Sequence, residues 1–164
     1  MASTVSLPEN YKIVMVAPTA AANAVAYDYI CCKNAHKVWF IVQHQGTNDT
    51  DLTLSMLEAT TVAGGSAAAI AGTYPVWVDT NAGTASDALV KTSMTGATTS
   101  TYVINTGVTT DQLVVIEWDP ANFSAGFDCI ALTDSGGNAS NYVTVTAIIQ
   151  ERFEQATPPS AIIN

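Results

Sequence analysis

Positive charge is the scarcest commodity in this sequence: five Lys and Arg stand against fourteen Asp and Glu, a formal net charge of −9 over 164 residues. Affinity for nucleic acid comes largely from Lys and Arg releasing counterions from phosphates. With so few cations and no basic run, DNA and RNA are excluded as expected partners. Charge of either sign is sparse, 12% of residues against about 25% in an ordinary soluble domain. No apolar run approaches the roughly 20 residues a helix needs to span a bilayer, so no membrane partner is expected. The opening MASTVSLPEN has neither the positive flank nor the apolar centre of a secretory signal, which predicts a soluble chain made in the cytoplasm. Cysteine is limited to three residues. Cys31 and Cys32 are adjacent, so on a strand they point to opposite faces and cannot bridge without distortion. Cys129 stands alone. Three reduced, mostly buried thiols are expected.

Reactive motifs are also missing. There is no P-loop, no GxGxxG, no CxxC and no GxSxG elbow. The stretch that invites a catalytic reading is KVWFIVQHQGTNDTDLTLSMLE, residues 37–58, where His44, Asp49 and Asp51 follow a hydrophobic wall. His36, the other histidine, lies eight positions away on the same strand. That is about 26 Å at 3.3 Å per residue, too far to share a metal. The segment reads instead as a β-hairpin, with His44 at the polar end of a strand and Asn48 to Asp51 forming the turn. DTNAGT at 79–84 fails as a calcium loop, because Gly83 falls where a third ligand belongs and Val90 occupies the position of the bidentate glutamate. The sequons at Asn48, Asn122 and Asn138 carry no weight without a secretion signal. No catalytic residue, no essential metal and no cofactor is expected.

What the sequence does have is threonine and a period of two. Its 22 threonines are β-branched strand formers that also offer water a hydroxyl, which suits the wet face of a sheet. In NYVTVTAII, residues 141–149, Val143, Val145, Ala147 and Ile149 face one way and Tyr142, Thr144, Thr146 and Ile148 the other. In YKIVMVA, Ile13, Met15 and Ala17 alternate with Lys12, Val14 and Val16. QLVVIEW at 112–118 and FDCIAL at 127–132 are apolar on both faces, which predicts central strands. Further strands are expected over 27–32, 37–45, 51–59, 75–79, 87–94 and 100–105. Turn chemistry separates them: NDTD, GG, NAG, NTG, DP and SGGN. SAAAIAG at 66–72 is alanine-rich but too short for a stable helix, and a single helical turn can follow Pro120. Many short strands at regular spacing predict an all-β protein, an antiparallel β-sandwich (jelly-roll-like) or barrel. It forms one domain over 11–155, with an N-terminal arm at 1–10 and a C-terminal tail at 156–164.

Both ends carry isolated apolar residues: Val5 and Leu7, with Pro8, in the arm, and Ala161, Ile162 and Ile163 beyond a Pro-Pro stop. The tail can fold back on its own core or dock on a neighbour. The order YKIVMVAP, NAHKVWFIVQHQG, LTLSMLEATTVAGG, PVWVDT, VVIEWDP, GFDCIAL, GGNASNYVTVTAIIQERF and PPSAI resembles the capsid decoration (head cement) proteins of tailed bacteriophages and prophages. The likeness spans nearly the whole chain and rests on strand and turn patterns, so it carries no catalytic residue. It implies a non-enzymatic structural protein on the exterior of the virion capsid, made in the host cytoplasm. Its partners would be the major capsid protein and copies of itself, a trimer rather than a dimer, with the six terminal residues named above as contacts. Two other classes compete. A carbohydrate- or receptor-binding β-sandwich would need exposed aromatics among Trp39, Trp77, Trp118, Tyr74 and Tyr102, which their apolar strands favour as core. A hydrolase would need acidic residues that meet only in the fold. The cysteine reading has a direct check: titration in denaturant, without reductant, should find three thiols per chain, and finding one would mean a disulfide.

Overall fold

The computed structural model describes residues 7–83, 87–104, 110–153 and 160–162. One helical turn, α1 (Leu7–Asn10), leads into eleven strands: β1 (Lys12–Ala21), β2 (Ile30–Cys31), β3 (Ala35–Gln45), β4 (Leu52–Ala59), β5 (Ala68–Ala69), β6 (Gly72–Asp79), β7 (Val90–Gly96), β8 (Thr101–Ile104), β9 (Gln112–Trp118), β10 (Cys129–Gly136) and β11 (Tyr142–Glu151). All pairings are antiparallel, in the order β1-β11-β3-β9-β6-β7-β8-β4-β10-β2, with β5 added to the edge of β4. The sheet curls until it nearly closes into a barrel, the all-β architecture that the period-two pattern predicts. β9 lies between β3 and β6 and β10 between β4 and β2, the interior positions expected of strands that are apolar on both faces.

Side-chain alternation decides what fills the barrel. Val38, Phe40 and Val42 of β3, Val143, Val145 and Ala147 of β11, Val114 and Ile116 of β9, and Leu52, Leu54 and Met56 of β4 all point inward and are fully buried. β1 departs from strict alternation. Its register slips between Met15 and Ala17, so Val14, Val16 and Ala17 are all buried while Ile13 and Met15 are turned out. Such a bulge re-aims side chains by one position. A second shift, where β11 passes from Gln150 to Glu151, skips His36 in the pairing with β3, which leaves His36 exposed although it shares parity with buried neighbours. Trp118 plugs one end of the interior, its ring 5.0 Å from Tyr74 and 5.2 Å from Phe123. Asp119 then caps the single helical turn Pro120–Asn122 by accepting from the Ala121 amide at 2.9 Å.

The 66–72 segment forms no helix, as its length predicts, and contributes only the two-residue β5 beside β4. Three expected strand bounds shift in detail. The 27–32 strand shrinks to β2, and β10 begins two residues later than FDCIAL and runs on to Gly136. Pro75 sits inside β6, not at its start. It tolerates that position because the ladder with β9 begins at Val76, beyond the missing proline N–H.

The two edge strands meet across a seam. Asp28, just before β2, donates its amide to Val16 of β1 at 3.0 Å, and Cys31 donates to the carbonyl of Ala161 at 2.7 Å. At the opposite end of the barrel the 46–51 loop is tied down by Asn141, which is fully buried. Its Oδ1 accepts from the Thr47 and Asn48 amides at 2.9 and 2.8 Å, and its Nδ2 donates to the Asn48 carbonyl at 3.0 Å. The neighbouring SGGN turn needs both glycines. Gly136 and Gly137 have φ of 79° and 75°, and a Cβ on either would come within 2.7 Å of a carbonyl, Asp51 or Ala22. Replacing Asn141 by Ala removes three hydrogen bonds and strands two amides. The expected loss is about 2–4 kcal/mol, a melting temperature lower by roughly 5–15 °C for a chain of this size. A change below about 0.5 kcal/mol in a denaturant titration would contradict the role given to Asn141.

Candidate interaction surface

The outward face of β1, β11, β3, β9, β6 and β7 carries two cross-strand rows. Register pairs connect Met15, Thr146, Ile41, Val115, Trp77 and Lys91 in one line. They connect Ile13, Ile148, Trp39 and Glu117 in the next. Ile13 is 48% exposed and Met15 61%, while Trp39, Ile41, Trp77, Val115 and Ile148 are half-buried. These residues share a face because each strand alternates, and adjacent in-register positions lie close enough to form a continuous surface. Contiguous exposed apolar surface on a soluble protein marks an interaction site far more often than scattered single residues do.

Polar contacts fix the aromatic members in place. Glu117 accepts from Lys37 Nζ at 2.7 Å and from Trp39 Nε1 at 3.1 Å, so one carboxylate is neutralised and the indole is oriented at once. Tyr11 meets Trp39 edge to face at 6.2 Å, which joins the N-terminal helical turn to the apolar face. Lys91 Nζ lies 5.5 Å from the Trp77 ring centroid, a cation–π distance. Glu117 is the only acidic residue in the two rows, although acids outnumber bases fourteen to five in the chain. The face is therefore close to neutral on a strongly acidic protein.

The terminal residues expected as contacts divide into three groups. Leu7 is 44% exposed and Ile162 37%, and Pro8 is also exposed. Ala161 is buried and packs in the chain's own core, with its carbonyl bonded to β2, so its side chain faces inward. Val5 and Ile163 lie outside the described residues. Ser160 and Ala161 border a small crevice with Lys12 and Ile149, which places the start of β1 and the terminal segment at one end of the barrel.

Among the aromatics, the core expectation holds for Trp118 and is corrected for Trp39 and Trp77. An apolar strand has two faces, and here the second face is not covered by any described element. Tyr74 and Tyr102 pack partly against the core. The NDTD turn is an Asx turn as expected: Asn48 Oδ1 accepts from the Thr50 amide and hydroxyl at 3.1 and 2.7 Å. Asp79 likewise serves the backbone, accepting from the Asn81 amide at 3.0 Å. No protein-family model, curated protein or solved structure matches this chain.

His44 ends its strand as expected but points inward. It is buried, and neither ring nitrogen has a hydrogen-bond partner among the described residues. Burial holds its pKa below the ordinary histidine value, with the Asp111 carboxylate opposing the shift. The unfolded chain therefore binds this proton more readily than the folded one. The folded state meets no penalty above the ordinary value near 6.5. It loses stability as pH falls from there toward the lower folded pKa. Asp134, raised by burial, acts in the opposite sense, so the test is a difference. Unfolding free energy of the parent should fall more steeply between pH 7 and pH 5 than that of His44→Leu. Parallel pH profiles would show that His44 is not buried neutral.

Proposed function

We propose that this chain is a non-enzymatic structural protein that binds the outer surface of a tailed-phage capsid as a decoration protein. The observation that carries the reading is the near-neutral apolar face described above, continuous through Tyr11 with the exposed N-terminal turn. A body of net charge −9 is repelled by packaged DNA, which favours the exterior of a shell over its lumen. The convex outer wall of the barrel suits a protein surface better than a small substrate, which binds in a concave pocket. The resemblance of the strand and turn motifs to head decoration proteins supplies the class of partner, a shell of major capsid protein. It also supplies the symmetry, a trimer at positions where three capsomers meet. Each copy then offers Leu7, Pro8 and Ile162 beside the face, and burying one such aliphatic side chain contributes roughly 1.5–3 kcal/mol. Simultaneous docking of several copies turns weak single contacts into avidity.

A second reading has one specific observation in its favour. Half-buried Trp39 and Trp77 on the outer wall could stack on sugar rings, since aromatic side chains combine large apolar area with defined geometry. A glycan array distinguishes the two.

The capsid reading is tested on heads purified from the phage or prophage that encodes the chain. Trp39→Ala should weaken head binding by about 30-fold, the scale of a hot-spot truncation of about 2 kcal/mol, with an unchanged circular dichroism spectrum. Deleting residues 1–10 should weaken it further. Unchanged binding by both variants, or glycan binding without head binding, would overturn the proposal.

A further inference from the structure

Three potential metal ligands meet at the seam strand. Cys31 of β2 and Cys129 of β10 are direct register partners. They sit on the outward side, because Ile30 and Ile130 fill the interior. Asp128 enters the same spot from the residue before β10. The two Sγ atoms and an Asp128 carboxylate oxygen all lie within 4.8 Å of one another, and Cys129 Sγ is 3.2 Å from Asp128 Oδ1. The expectation that Cys129 stands alone is thereby corrected. It was invisible in the sequence because 98 residues separate it from Cys31.

We propose that Cys31, Cys129 and Asp128 form an accessory site for a thiophilic d10 cation, Zn2+ being the best fit. Two thiolates select soft or borderline ions over Mg2+ and Ca2+. Zinc–sulfur bonds of about 2.3 Å and zinc–oxygen bonds of about 2.0–2.2 Å place tetrahedral ligand atoms roughly 3.5–3.8 Å apart. The cluster reaches that spacing by closing about 1 Å, and water takes the fourth position. Cys129 is buried while Cys31 and Asp128 are half-buried, so an ion has a way in. Lys33 Nζ, 3.9 Å from the Asp128 carboxylate, offsets the single negative charge of a zinc bis-thiolate carboxylate. Cys32 is not a ligand: its side chain is buried on the other side of the strand and its Sγ contacts the Ile30 carbonyl at 3.5 Å.

The proton balance is simple. Binding one Zn2+ forms two Zn–S bonds and one Zn–O bond, and each thiol that coordinates as thiolate releases its proton to solvent. No electron moves.

The location gives the site its purpose. β2 is two residues long and pairs with β10 over two positions only, yet its Cys31 amide holds the Ala161 carbonyl. An ion bridging Cys31 and Cys129 staples this short strand to the body of the sheet and, through it, the terminal segment that closes the seam.

The test uses full-length protein, reduced and stripped with chelator under inert gas, then titrated with Co2+. The expected result is one Co2+ per chain with a cobalt–thiolate charge-transfer absorption, bleached by equimolar Zn2+. Cys32→Ser should keep the band. Cys129→Ser should abolish it, and Asp128→Asn, with an unchanged circular dichroism spectrum, should weaken binding about tenfold or more. No band at micromolar protein, a band that survives Cys129→Ser, or loss of the band in Cys32→Ser would each overturn the assignment.

Discussion

An open sheet edge is a template for strand pairing unless it is blunted, covered or closed. β1 and β2 are the two ends of the strand order, and each would otherwise offer a row of unpaired amides and carbonyls to any passing strand. Here they are brought together. The Asp28 amide reaches Val16, and the Ala161 carbonyl takes the outer amide of Cys31. Closing the sheet converts one face of every strand into the wall of a sealed core, which is why residues as distant as Val16, Ile30, Leu54 and Val145 are buried together. The chain's last described segment is therefore part of the closure and not an appendage.

Once the inner face is committed to packing, the outer face is where function has to be written. The acidic excess of the chain is left off the two rows that run from β1 toward β7, where Glu117 is held by Lys37 and Trp39. The result is a surface that neither repels nor strongly attracts by charge and that presents indole, isoleucine and methionine in fixed positions. The proposed capsid docking and the proposed zinc staple lie on one continuous chain of contacts, from Trp39 through Tyr11 to β1 and across the seam to β2.

Much of the fold was legible before any coordinates, for physical reasons. Alternation in NYVTVTAII fixes which side chains face inward once one side must be dry, and NDTD and SGGN announce turns through side-chain acceptors and positive φ. What stayed hidden is information that alternation does not carry. The bulge after Met15 breaks the alternation of YKIVMVA, so Ala17 is buried beside Val16 while Ile13 and Met15 face out. Trp39 and Trp77 read as core because an apolar strand does not reveal whether a second layer covers it. His44 read as a polar strand end although it shares parity with Val38, Phe40 and Val42, whose side chains turn into the barrel. The Cys31–Cys129 pairing depends on which strand lies beside β10, a long-range choice made by the whole topology. Ala161 could have docked on a neighbour or on its own core, and only the edge of β2 decides between them.

Hydroxyl-radical footprinting of the protein free in solution and bound to purified heads tests the role of the outer face most directly. Met15, Trp39 and Trp77 should be oxidised in the free protein and protected by about tenfold or more on the particle, as desolvated centres of an interface are. Trp118, buried in both states, serves as the internal reference. Equal oxidation of Met15, Trp39 and Trp77 in free and particle-bound protein would place the contact elsewhere and contradict the docking face.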